Sequence, residues 1–141
     1  MSLTLAMIKP DAVGSGKAGK ILAHLEEAGF TLRALRLLSL STEQAGAFYA
    51  VHRARPFYDE LVEFMTSGPV IPMALEADDA VALLRETIGA TDPSEAAAGT
   101  VRKLHAESKG RNAIHASDSD ENARKEIAFF FSEHERLAVG S

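Results

Sequence analysis

Short runs with the two-residue period of a β-strand take turns with longer runs at helical spacing along this chain, and that order leaves few architectures open. "LTLAMIKP" puts Leu3, Leu5 and Met7 on one side of a strand, and Pro10 keeps Lys9 extended at its exit. After a loop at Gly14 to Gly16, the residues Ala18, Ile21, Leu22 and Leu25 share one helical face that Gly29 brings to a stop. "FTLRALRLLSL" reads as a second strand, and Ser41 with Gln44 has the spacing of a capping box that opens a helix through about Val51. Phe57, Leu61, Phe64 and Met65 mark a short helix closing at Ser67-Gly68-Pro69. "VIPMALE" reads as a third strand, in which Pro72 requires a sheet edge or a missing ladder bond. Asp78 or Asp79 is placed to cap a helix that carries Val81, Leu84 and Ile88 inward and ends at Gly89. From Gly89 to Asn112 no period is visible, and ordered stretches of that length tend to be functional. "NAIH" is long enough only for a short strand. "SDENARKEIAFFF" supplies a capped final helix with Ala123, Ile127 and Phe130 on one face, and the last ten residues read as a tail.

Segregating these elements gives an α+β layer, and four strands with paired helices predict a ferredoxin-like four-stranded antiparallel sheet with helices packed on it. The 141 residues are expected to form one domain over 1–141, with a core of ordinary size. No cysteine is present, which removes disulfides, thiol catalysis and thiolate metal sites. The net charge of −5 argues against a broad nucleic-acid footprint, although a few convergent cations can still hold a small anion. No apolar run approaches the roughly 20 residues of a bilayer span and the amino end lacks an export pattern, so a cytoplasmic protein without membrane contact is expected.

His115 stands between the short strand and the capped helix, where a neutral imidazole offers one basic nitrogen to an electrophile. Taken alone, such a histidine is more often a satisfied, half-buried side chain. Its other nitrogen needs an acceptor, and either Glu126, eleven residues on, or Ser117 can help to fix the ring. Around the aperiodic segment lie Arg85, Thr91, Arg102 and Asn112, with Lys9 at the exit of the first strand. Guanidinium forks suit phosphate oxygens, and an ammonium adds a point charge. Singly, each of these is commonly a solvated surface residue; their combination in an acidic chain points to a small anion. Phe57 either enters the core stripe of its helix or stands out as a stacking platform, and Tyr49 either bonds a catalytic ring or caps the core edge. His24, His52 and His134 form no i, i+4 metal pair, so a protein-built metal site is not expected, and His105, in the aperiodic segment, is left open between roles. Gly14-Ser15-Gly16-Lys17 lacks the spacing of a phosphate loop and reads as a turn.

"MIKPDAV", "ARPFYDELVEFMTSGPV", "GATDPSEAAAGTVR" and "RNAIHASDS" occur in this order, and together they resemble the nucleoside diphosphate kinase family from about Leu3 to Phe131. The resemblance implies a phosphotransferase that binds nucleoside di- and triphosphates and passes a terminal phosphoryl group between them in two displacements through His115. Residue by residue, it implies that Lys9 and Asn112 reach the ribose hydroxyls, with Lys9 also near the transferred phosphate. It further implies that Phe57 stacks on the base, that Arg85, Thr91 and Arg102 hold the phosphates, that Tyr49 neighbours His115, and that Ser117 and Glu126 support its orientation. It also implies a magnesium ion held mainly by nucleotide phosphates and water, and a homo-oligomer, tetrameric or hexameric. The chain departs from the family pattern at Ala12 and Ala116, where glycine is usual, at Ala98, where proline usually precedes Gly99, and at Leu104-His105. Two other classes fit parts of the pattern: a nucleotide-binding regulatory protein without turnover, and a metal-dependent hydrolase using His105 and His115.

Overall fold

Alternation along the first strand sorts its side chains onto both faces of a sheet, because strand β1 (Ser2–Ile8) runs through the middle of the protein. The structure, a computed structural model, describes residues 1–138. Strands β2 (Thr31–Leu35), β3 (Ile71–Ala77) and β4 (Ile114–Ala116) complete a four-stranded sheet in the order β2-β3-β1-β4. All three pairings are antiparallel, with Leu5 opposite Ala74 and Met7 opposite both Pro72 and His115. This is the ferredoxin-like arrangement expected from the pattern, a split β-α-β unit in which β3 inserts between β1 and β2.

The helices are α1 (Pro10–Gly14), α2 (Ala18–Glu27), α3 (Thr42–Phe48), α4 (Tyr58–Met65), α5 (Ala80–Ile88), α6 (Val101–His105), α7 (Asp120–Phe130) and α8 (Glu133–Ala138). On one face of the sheet, Ala6, Ile8, Met73, Leu75 and Ile114 pack against Ile21 and Leu25 of α2 and Leu84 and Ile88 of α5. On the other, Leu5, Met7 and Ala74 meet Ala45 and Tyr49 around the end of α3, Val62 and Met65 of α4, and Ile127 and Phe130 of α7. Because Ile114 and Ala116 face the first layer, the alternation of β4 turns His115 toward the second, beneath α3 and α7.

Several local expectations are refined by the fold. Pro72 lies in a central strand, not at an edge. Its carbonyl accepts from the Arg36 N–H (3.1 Å) just past the end of β2, so only the returning ladder bond is lost. Asp79 occupies the residue before α5, but its backbone is left-handed (φ 51°) and its side chain caps nothing. The Ala80 N–H instead donates to the Ser2 hydroxyl, 3.0 Å away. The Ser41–Gln44 capping box forms as expected, although α3 ends at Phe48 and continues as a 3₁₀ turn, Ala50–His52.

The aperiodic segment contains α6, whose start is capped by the Thr100 hydroxyl accepting from the Lys103 N–H. Five residues make too little helix to show a period. The expected tail is helical over the part described, because Ser132 and Glu135 form a reciprocal cap, each backbone N–H donating 3.2 Å to the other's side chain. Residues 139–141 of that tail lie outside the described residues. Among those described, no helix is long and apolar enough to cross a membrane.

Candidate active site

Two chain crossings position the site. Leaving β1, the Lys9 N–H donates to the Ala113 carbonyl (2.9 Å), and the Ala113 N–H donates to Asp11 Oδ2 (3.0 Å). Ala113 has φ 74°, a left-handed setting that costs a non-glycine residue roughly 1 kcal/mol and that these two bonds hold. The segment entering β4 is thereby clipped to the segment leaving β1. A second constraint sits at Gly89, where α5 ends at φ 88° and any Cβ would fall 2.6 Å from the Thr100 hydroxyl.

The clip brings Lys9 and Asn112 together. The Lys9 ammonium, buried to 8% exposure, donates to Asn112 Oδ1 at 2.8 Å, and Asn112 Nδ2 donates to the Thr91 carbonyl at 3.4 Å. Burial, then the neighbouring Arg102 charge, pulls the Lys9 amine down to about 8 against a smaller opposing pull from Asp11. Arg102 is equally buried. Its guanidinium donates to the Gly89 carbonyl (3.1 Å) and the Ile114 carbonyl (2.7 Å), while its Nε is buried with no partner. Burial, followed by Arg85, lowers the Arg102 guanidinium to about 10.

Arg85, Gly89, Thr91 and Arg102 line one small pocket. Among the described residues, no carboxylate lies within ion-pair distance of Lys9, Arg85 or Arg102. The pocket therefore presents concentrated positive charge held by neutral carbonyls and an amide, a composition suited to an anion with several oxygens.

At the other end, His115 Nε2 lies 2.7 Å from Glu126 Oε1 on α7. The Ser117 hydroxyl donates to the same oxygen at 2.8 Å, so the serine steadies the carboxylate and makes no hydrogen bond of its own to the ring. A carboxylate oxygen can only accept, which places the ring proton on Nε2 and leaves a lone pair at Nδ1. Tyr49 does not hydrogen-bond the imidazole. Its ring stands nearly perpendicular to it (5.9 Å between centroids, 87°), and its hydroxyl is buried with no partner. Burial, then the Glu126 charge, pushes the Tyr49 phenol well above its usual range, so it stays a neutral donor.

Phe57 is 46% exposed at the start of α4, which separates it from the core stripe and makes it a surface platform. It joins the site through a row of rings: Phe57 to His52 (5.5 Å), His52 to Tyr49 (6.4 Å), and Tyr49 to His115. Gly14 ends α1, Ser15 and Gly16 make the turn toward α2, and the Lys17 ammonium donates to the His105 carbonyl at 3.1 Å. Among the described residues, no three of His, Asp and Glu converge into a metal cage.

Three residues of this region carried no reading from sequence. Asp11 is buried by its bond to Ala113, a partner 102 positions away that no local pattern announces. Asp118 lies in the turn after β4. Its carboxyl is held below the usual range first by the Asn122 side-chain amide (2.6 Å), and also by the Ser119 hydroxyl and the charge of Arg85. Phe48 packs edge-on against the His115 ring at 5.3 Å. An apolar residue at the last turn of a helix looks like any other core position.

A family model described as nucleoside diphosphate kinase matches residues 2–136. The chain is 58% identical over 135 residues to the nucleoside diphosphate kinase of Chlorobium chlorochromatii, covering 96% of each protein. It is similar to the solved structure of the Aquifex aeolicus nucleoside diphosphate kinase with a TM-score of 0.94 at 49% identity, covering 96% of this chain and 99% of that one. A halophilic nucleoside diphosphate kinase from Halobacterium salinarum, solved in complex with CDP, is similar with a TM-score of 0.91 at 39% identity, covering 96% of this chain and 91% of that one.

Proposed function

The chain belongs to the nucleoside diphosphate kinase family and is a nucleotide-binding phosphotransferase, and from that premise we propose that it transfers the γ-phosphoryl group of a nucleoside triphosphate to a nucleoside diphosphate by way of His115. The observation that carries this reading is the division of labour at the imidazole, where Glu126 occupies Nε2 and leaves Nδ1 as the nucleophile.

In the first half-reaction the Nδ1 lone pair attacks the γ-phosphorus, and the bond to the β,γ-bridging oxygen breaks. The departing nucleoside diphosphate takes that electron pair. The imidazole gains positive charge as the N–P bond forms, and the Glu126 carboxylate, steadied by Ser117, sits where that charge develops. Arg85, Thr91 and Arg102 hold the phosphate oxygens. Lys9 and Asn112 reach the ribose hydroxyls, Lys9 also stabilising the transferred group, and the buried Tyr49 hydroxyl is a neutral donor beside the ring. The second half-reaction reverses these steps with a different nucleoside diphosphate, and one site serves both because donor and acceptor make or break the same kind of bond. In-line positioning and charge stabilisation are the main demands of such a transfer.

The magnesium ion neutralises charge across the phosphates when bound. The residues fit an ion that arrives with the nucleotide, since the exposed carboxylate of Asp118 lies in the field of Arg85 and hard cations of this size retain several waters. Phe57 offers a π-face common to all bases, so base selectivity is weak and the enzyme equalises nucleoside triphosphate pools. We also propose that the chain acts as a single domain in the cytoplasm and assembles as a homo-oligomer.

The test is incubation with γ-labelled ATP and magnesium. Acid-labile, alkali-stable label on the protein, discharged by added GDP and absent from His115→Ala, is the expected result. Nucleotide binding without label would favour a regulatory protein, and net phosphate release without an acceptor would favour a hydrolase.

A further inference from the structure

We propose that Phe48 is a positioning residue for this transfer: its ring sets the rotation of the His115 imidazole, so that Nδ1 and not Nε2 meets the phosphoryl group. The inference rests on the reading of His115 as the phosphoryl carrier and adds to it the element that aims the ring.

An imidazole held by one hydrogen bond is still free to swing about its Cβ–Cγ bond. A half turn exchanges each nitrogen with a ring carbon, and the tautomer carrying its proton on Nδ1 offers Nε2 as the nucleophile instead. Glu126 opposes that turn with a single oxygen, already shared with Ser117. The remaining restraint is aromatic. Phe48 meets the His115 ring at 5.3 Å and 72°, and Tyr49 meets it at 5.9 Å and 87°, two edge contacts from the same helix end that hold the plane of the ring and block the crosswise orientation through which a half turn must pass.

Phe48 is itself wedged. Phe129 lies 5.4 Å away at 68° and Phe130 lies 5.2 Å away at 46°, the third and fourth residues after Glu126 on α7. One helix therefore supplies both the acceptor for Nε2 and the wall behind the ring that brackets the imidazole. The other end of the device is equally fixed. The capping box sets where α3 begins, and the Tyr58 hydroxyl donates to the Gly46 carbonyl at 3.1 Å, an approach so close that a Cβ at Gly46 would lie 2.9 Å from that oxygen. Phe48 follows Gly46 by two residues, so its height over β4 is determined from both sides.

The experiment compares the wild type with Phe48→Ala, Phe48→Leu and Phe48→Tyr in single-turnover labelling with γ-labelled ATP and magnesium. The labelled protein is then hydrolysed in alkali, and the two phosphohistidine isomers are separated by chromatography. The proposal expects one isomer from the wild type. In Phe48→Ala the labelling rate falls about tenfold to a hundredfold, as for a misaimed nucleophile, while the dissociation constant for ADP stays within about twofold. A second isomer appears in Phe48→Ala, and Phe48→Tyr restores both rate and single-isomer product. Loss of structure alone would reduce the fraction of protein labelled without altering the rate or the isomer of the remainder, and that result overturns the proposal. Should Phe48→Ala not fold, Phe48→Leu retains most of the bulk without the ring and is judged by the same rate and isomer readouts. Labelling of Phe48→Leu at the wild-type rate with one isomer also overturns the proposal. A wild type that carries no label on His115 is a separate outcome, in which the functional reading itself fails.

Discussion

The two ends of the site are built on opposite rules. At the imidazole end the bonding is closed except at the buried Tyr49 hydroxyl: His115 Nε2 and the Ser117 hydroxyl share one Glu126 oxygen, and four aromatic rings pack edge-on or tilted around them. At the cation end it is left open. Lys9 and Arg102 are buried against neutral acceptors, both have lowered proton affinities, and Arg102 Nε has no partner. A nucleophile must be aimed before the substrate arrives, which favours closed bonding. A phosphate site must keep its positive charge uncompensated, which favours burying cations without carboxylates and accepting the stability this loses. The protein thus spends rigidity on direction at one end and holds electrostatic potential at the other.

Breaking the open end is expected to have the larger effect. Arg102→Ala should lower kcat/KM for a nucleoside triphosphate by about 10²–10³, with both parameters worsened, since the guanidinium binds the phosphates in the ground state and holds them more strongly in the transition state. Steady-state kinetics with ATP and GDP checks this, and an unchanged kcat/KM would remove Arg102 from the phosphate site. The same variant should still label at His115 given enough nucleotide, because the closed end is intact.

Lys9 separates the two ends of the site through pH. In the free protein its amine titrates near 8, well below an ordinary lysine, and only the protonated form attracts phosphate. Nucleotide affinity should therefore be flat below pH 8 and decline above it, with proton uptake on binding. Stability moves the other way. The unfolded chain keeps the lysine proton up to about 10.5 while the folded one loses it near 8, so between those values the unfolded state binds more protons and the Lys9 contribution to stability rises with pH. Calorimetric titration and thermal melts from pH 7 to 10 test the pair of slopes. Lys9→Arg, charged throughout, should flatten the affinity profile; a wild-type affinity that is flat through pH 9.5 would contradict the assignment.

Phe57→Ala is predicted to raise KM for all nucleotides by a similar factor, corresponding to the roughly 1–3 kcal/mol of base stacking, with little change in the labelling rate at saturation. Base-dependent losses would mean that some side chain reads base edges. Ser117→Ala should have the smallest effect, about 1 kcal/mol in the labelling barrier for a lost hydrogen bond to a carboxylate that retains its partner His115. A drop as large as that of Arg102→Ala would mean that the serine meets the phosphoryl group itself.

Legibility from sequence follows the same division. The closed end is largely local: Ser117 and Glu126 lie nine residues apart on a strand and the helix after it, within the span where spacing and capping are readable. The order of strands and helices, the Ser41 and Ser119 caps and the core stripe of α7 are local for the same reason. The open end depends on partners 103 and 102 positions apart, Lys9 with Asn112 and Asp11 with Ala113, and no periodicity carries that information. There the resemblance supplied what spacing did not. Two local patterns fold otherwise than they read, for physical reasons. Asp79 sits where a cap belongs but in a left-handed setting that sends its side chain elsewhere, and Ser132 with Glu135 had the spacing of a helix start within what reads as a tail.

The central claim, that His115 Nδ1 carries the phosphoryl group between two nucleotides, is tested most directly by mass spectrometry of protein quenched in alkali within one turnover of ATP and magnesium. One phosphate per chain is expected, on the peptide containing His115, lost on addition of GDP as GTP appears. Phosphate on another side chain, or turnover with His115 never modified, would contradict it.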